Sequence, residues 1–119
     1  VTYSGDTGGF YIKIGRLVFV TGTIRTTAIS GGSGTLFIGA IPFVNSDRSN
    51  GDNADGVGSA HTNIWNGTGT EVPTFIKQVR NDSKFYVGRN SDTAVSTFLD
   101  VSDWGSTCMM SFSMVYYTA

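Results

Sequence analysis

GFYIKIGRLVFVTGTIR, residues 9–25, consists of two alternating runs joined at Gly15. In the first, Phe10, Ile12 and Ile14 fall on one side of a pleated strand and Tyr11 and Lys13 on the other, the period-two pattern of a half-buried strand. In the second, Leu17, Phe19, Thr21 and Thr23 alternate with Val18, Val20, Gly22 and Ile24. Near its start this run is apolar on both sides. A strand of that kind needs a core on one side and a cover other than water on the other. A second layer or another copy of the chain would supply that cover.

Working outward, no long stretch repeats apolar residues at helical spacing, and almost no helix is expected. Thr35–Ile41 reads as a strand that Pro42 ends, since proline has no N–H to donate to a ladder. Residues 44–58 (VNSDRSNGDNADGVG) form a polar surface loop. Gly58–Trp65 resumes as a weak strand, Asn66-Gly67 marks a turn, and Val72–Arg80 pairs as a hairpin with Lys84–Gly88 across Asn81-Asp82-Ser83. After Ala94–Val101 comes a turn at Ser102–Gly105. The closing run, Thr107–Tyr117, sets Cys108, Met110, Phe112, Met114 and Tyr116 against Met109, Ser111, Ser113, Val115 and Tyr117. Eight or nine short strands at hairpin spacing predict an all-β antiparallel sandwich, jelly roll or barrel.

At 119 residues the chain is expected to form one domain, with 16 glycines and 2 prolines supplying tight turns. Only 14% of residues are charged, against about 25% in an average domain, so the surface is polar without being ionic. The net charge of −1 and scattered Lys and Arg give no electrostatic footprint for nucleic acid. No segment approaches a membrane span. Cys108 lies alone in an apolar run and reads as a small buried hydrophobe. The polar start at Val1 predicts a piece of a longer protein.

The strand pair Tyr11-x-Lys13-x-Gly15-x-x-Val18-x-Val20-x-Gly22, followed by a small-residue strand ending Ile41-Pro42-Phe43, resembles the C-terminal domains of bacteriophage tail fibres, tailspikes and related virion appendages. Ile41 stands where that family usually has Leu. The end of the chain, SFSMVYYTA (111–119), is similar to the same domains. The likeness covers roughly the first third and the last strand; residues 44–105 carry no motif of the family. It implies a β-sandwich or jelly roll that forms a homotrimer on the virion and contacts a host surface, often its glycans. Trimer contacts would then come from Phe19 and Val20 on the early run and from Met110, Phe112 and Met114 on the closing one.

For ligand contact, Trp65 and Trp104 both adjoin turns, where an exposed indole stacks on sugar C–H groups, although tryptophan in a small β domain is more often core. Tyr86 is a further stacking candidate. Asp47, Asp52 and Asp55 share one loop as possible sugar-hydroxyl partners. A glycosidase needs two carboxylates at a held separation, which a glycine-bearing loop supplies poorly, so no enzymatic activity is expected. Asn50, Asp52, Asn53 and Asp55 miss the spacing of a calcium loop. His61, the sole histidine, is a further candidate ligand contact, with too few ligands beside it for zinc. No G-x-S-x-G elbow is present, and no metal or cofactor is expected. The expected partners are two further copies and a host-surface glycan or receptor; the rival reading is a trimerising cap that binds nothing.

Overall fold

The computed structural model describes residues 1–39, 41–45, 56–67, 72–78, 81–90 and 97–118. Its strands are β1 (Thr2–Tyr3), β2 (Gly8–Ile14), β3 (Leu17–Ala28), β4 (Phe37–Ile38), β5 (Val57–Ile64), β6 (Phe75–Gln78), β7 (Phe85–Arg89), β8 (Thr97–Phe98) and β9 (Met109–Tyr117). The helical content among these residues is one 3₁₀ turn, Val101–Asp103. Among the described residues no helix is long and apolar enough to cross a membrane.

The two alternating runs joined at Gly15 form a hairpin. Ile14 pairs with Leu17, so Gly15 and Arg16 make a two-residue loop, and Gly15 takes a φ of +60°. A positive φ at the first loop position gives the reverse twist that lets two right-twisted strands continue side by side. Glycine adopts it without a Cβ clash.

All strands join one antiparallel sheet in the order β1-β3-β9-β5-β6-β7-β4, with β2 also on β3 and β8 on β7. The sheet curls into a half-barrel. The expected all-β antiparallel architecture is present, but as one curled sheet in place of two stacked layers. Curling encloses one face. Val18, Val20, Ile76, Phe85, Val87, Leu99, Met110, Met114 and Tyr116 fill it. The closing strand follows its alternation: Cys108, Met110, Met114 and Tyr116 are buried and Phe112 is half-buried against Phe85, with ring centroids 4.9 Å apart.

That enclosure corrects three of the expected trimer contacts. Val20, Met110 and Met114 are at most 5% exposed inside their own chain, so a second copy cannot reach them. The cause is the pleat itself: Phe19 and Val20 are neighbours in sequence and point to opposite faces. Phe112 shares the inner face with Met110 and Met114, which leaves Phe19, 37% exposed, as the one of the five on the outer face.

Boundaries also move. The expected strand Thr35–Ile41 shortens to Phe37–Ile38, with Thr35 making a single bridge to Asp100. The weakly signalled strand near Gly58 becomes β5, eight residues long and central, between β9 and β6. Tyr116 ties the end of β9 to the segment after Ile41: its hydroxyl donates to the Phe43 carbonyl at 3.1 Å and accepts from the Phe43 N–H at 3.3 Å.

Candidate functional site

The outer face of the sheet is the surface that stands out chemically. Cross-strand register places Ile12, Phe19, Val115, Val57, Lys77, Tyr86 and Phe37 in one row running across six strands and ending on a seventh. The next row holds Ile14, Leu17 and Tyr117. Two apolar regions result, separated by Lys77.

The first centres on β2, β3 and β9. Phe10, Ile12, Ile14, Leu17, Phe19, Val57, Val115 and Tyr117 are each between 37% and 72% exposed. From the size of such side chains this patch is roughly 700 Å², above the ~300–600 Å² of the largest patch on a typical monomer. It falls near the ~800 Å² per partner of a stable protein interface. Along the strands the patch gives way to hydroxyls: Thr21, Thr23, Ser59, Ser111 and Ser113, with the Thr23 and Ser111 oxygens 3.0 Å apart. His61 is exposed in this hydroxyl region, paired with Ser111.

The second region is aromatic. Tyr86 and Phe98 lie with ring centroids 4.8 Å apart and planes inclined by 34°, and Phe75 meets Phe98 at 6.1 Å. Phe37, 52% exposed, pairs with Tyr86 across the strands, and the Lys84 ammonium sits 4.8 Å from its ring centroid. Lys84 also pairs with Asp82 at 2.9 Å. That bond holds the Asp82 carboxyl below its ordinary range; partial desolvation opposes the shift and the Ser83 N–H adds to it. The sequence reading had Tyr86 but missed Phe37, Phe75 and Phe98. Their signal was register: only pairing through Gly88 brings Phe75 and Phe98 to one spot.

The tryptophans take the other role considered for them. Trp104 is 5% exposed, and its Nε1–H donates to the Thr26 hydroxyl at 2.9 Å. Trp65 is half-buried and meets Trp104 edge to face, with centroids 5.5 Å apart. The turns beside them lock together: Asn66 Oδ1 accepts from the Thr107 N–H at 3.0 Å. Trp104 belongs to the core, and Trp65 packs against it while remaining partly exposed. Asp47, Asp52 and Asp55 lie outside the described residues. Among the described residues no three acidic, His or Cys side chains gather as a metal site would require.

A groove opens where the curled sheet stops short of closing. One lip is Thr7–Tyr11 and the other holds Ile38, Gly39, Ile41 and Pro42, over a floor that includes Phe85 and Phe112. Its volume is about 410 Å³. A smaller recess of about 230 Å³ continues it, sharing Ile24, Ile38 and Gly39. Comparison with protein-family models, curated proteins and solved structures finds no match for this chain.

Proposed function

We propose that this chain is a host-recognition domain of a virion appendage, a tail fibre or tailspike tip, in which copies associate through the aliphatic part of the outer face. The observation that carries the reading is that face itself. A sheet whose second side met only water would alternate apolar and polar residues cleanly, whereas Leu17, Phe19, Val115 and Tyr117 are apolar at adjacent positions on it. Sister copies are the cover that fits, because the patch has the area of a standard interface and lacks the charges that keep monomers apart. Three copies is the number that the family resemblance implies.

Recognition then falls to the aromatic region around Tyr86, Phe98 and Phe37, which stays outside the aliphatic patch. Aromatic faces stack on sugar C–H groups, and a small site repeated on each copy gains strength by effective concentration. A host glycan is the ligand class. A glycan array probed with the assembled protein tests this: saturable binding is expected, reduced at least tenfold by Phe98→Ala or Tyr86→Ala with assembly intact. Wild-type protein that binds no host-surface glycan, or binding unaffected by both substitutions, contradicts it. The first of those outcomes favours the cap, which uses the same aliphatic face and recognises nothing.

A further inference from the structure

The concave side of the half-barrel is not filled along its whole length. The groove of about 410 Å³ lies between its two lips, and the recess of about 230 Å³ extends it past Ile24 and Ile38 toward Trp104. At one end the sheet's gap is already bridged by side chains. The Tyr11 and Phe43 rings meet edge to face with centroids 5.3 Å apart, and the Lys13 ammonium lies 5.3 Å from the Phe43 centroid. A gap bridged in this way takes a small molecule rather than a further strand, and its volume lies within the ~300–1,000 Å³ of small-molecule sites. The lips also carry Gly8 and Gly39. Neither has a left-handed φ, and a side chain at either would meet nothing within 4 Å. Neither backbone conformation nor packing calls for glycine at these positions. What the two leave is a clear entrance above Ile24, Phe85 and Phe112.

We propose that this groove binds a neutral, mainly hydrocarbon small molecule with a single hydrogen-bonding group, which the Tyr11 hydroxyl receives. The walls set the body of the ligand: Val20, Ile24, Ile41, Phe85 and Phe112 are apolar, and among the described residues no charged side chain lines the groove or its recess. The two cations nearby are engaged elsewhere, Lys13 over the Phe43 ring and Arg25 with Asp6. An acid or an ammonium entering the groove would therefore leave water without an opposite charge to meet it. The hydroxyls set the head. In the main groove Thr7 is bonded to the Arg25 backbone, Thr21 to the Phe112 carbonyl and Thr23 to Ser111. Tyr11 carries the lining hydroxyl that bonds to none of the described residues. One polar contact on an apolar floor orients a ligand without demanding a polar body. The groove is on the opposite side of the sheet from the aliphatic patch, so this inference does not rest on association of copies.

Two fluorescent probes of one skeleton test it: N-phenylnaphthylamine, neutral with a single N–H, and anilinonaphthalene sulfonate, which adds an anionic group. Both would be titrated into wild type, Gly39→Phe and Phe19→Glu, with circular dichroism to check that each variant is folded. Gly39 lines both parts of the groove, and its open surroundings let the new ring obstruct the entrance without disturbing the core. Expected are saturable binding of one N-phenylnaphthylamine per chain, at least tenfold weaker binding of the sulfonate, and at least tenfold loss of the neutral probe in Gly39→Phe. Phe19→Glu alters the outer face and should leave the affinity unchanged. Amide resonances of Ile24, Phe85 and Phe112 should shift as the neutral probe is added. Wild type that binds no neutral probe, or binds the sulfonate equally well, overturns the proposal. So does binding kept in Gly39→Phe and lost in Phe19→Glu, which would put the probe on the outer patch.

Discussion

At the scale of single residues, the least expected feature is a pair of buried amides. Gln78 and Asn45 are 1% and 0% exposed, and no side-chain nitrogen or oxygen of either has a hydrogen-bond partner among the described residues. A buried amide without partners costs about 1–3 kcal/mol. Gln78→Met keeps the volume and removes the polar atoms, so thermal or urea unfolding should show a gain of about 1 kcal/mol. A loss would mean that the amide holds a buried water or another bound group. Tyr116 makes a different prediction. Burial pushes its phenol above the ordinary tyrosine range, with the Phe43 hydrogen bond pulling weakly the other way. The folded chain thus holds this proton to higher pH than the unfolded chain, where the pKa is about 10. Its contribution to stability is complete below that value and is lost as pH rises through the higher folded value. Stability of the wild type should fall more steeply above about pH 10 than that of Tyr116→Phe, as measured by denaturant midpoints. Parallel profiles would contradict the assignment.

At the scale of elements, the β2–β3 hairpin and β9 were legible because their alternation runs unbroken for many residues, and a single core face follows from it. Which face became core was not legible. Leu17 and Phe19 are as apolar as Val18 and Val20, and only the direction of curl decides between them. β5 carried only a weak strand signal because Gly58, Ser59, Ala60 and Thr62 are small; at Gly58 the close approach of β9 leaves no room for a Cβ, which would collide with the Ser113 carbonyl oxygen. The sequence also placed the turns at Gly15 and at Asn81, whose φ of 53° is the positive value that asparagine tolerates. The site was less legible than the fold. Phe37, Phe75, Tyr86 and Phe98 come from four strands, and nothing local joins them. Gly15 offers the element-scale prediction: Gly15→Val places a β-branched residue at positive φ and should cost at least about 1 kcal/mol in unfolding experiments. A neutral result would mean that the hairpin is not closed by the reverse-twist loop.

At the scale of the whole molecule, one curled sheet separates the chain's apolar residues into two populations. The inner one makes a core that a single chain encloses. The outer one is of similar chemistry and stays exposed, uncovered by any of the described residues, and association of copies would enclose it. Burying a patch of roughly 700 Å² on each partner is worth several kcal/mol after the losses of orientation and side-chain freedom, enough for a specific complex but sensitive to one misplaced charge. Sedimentation equilibrium of the wild type beside Phe19→Glu measures this most directly. The account predicts a concentration-dependent assembly of wild type, three copies if the resemblance holds, and a folded monomer for Phe19→Glu with an unchanged circular dichroism spectrum. Wild-type protein that remains a monomer up to high micromolar concentration, with its outer face open to water, would contradict it.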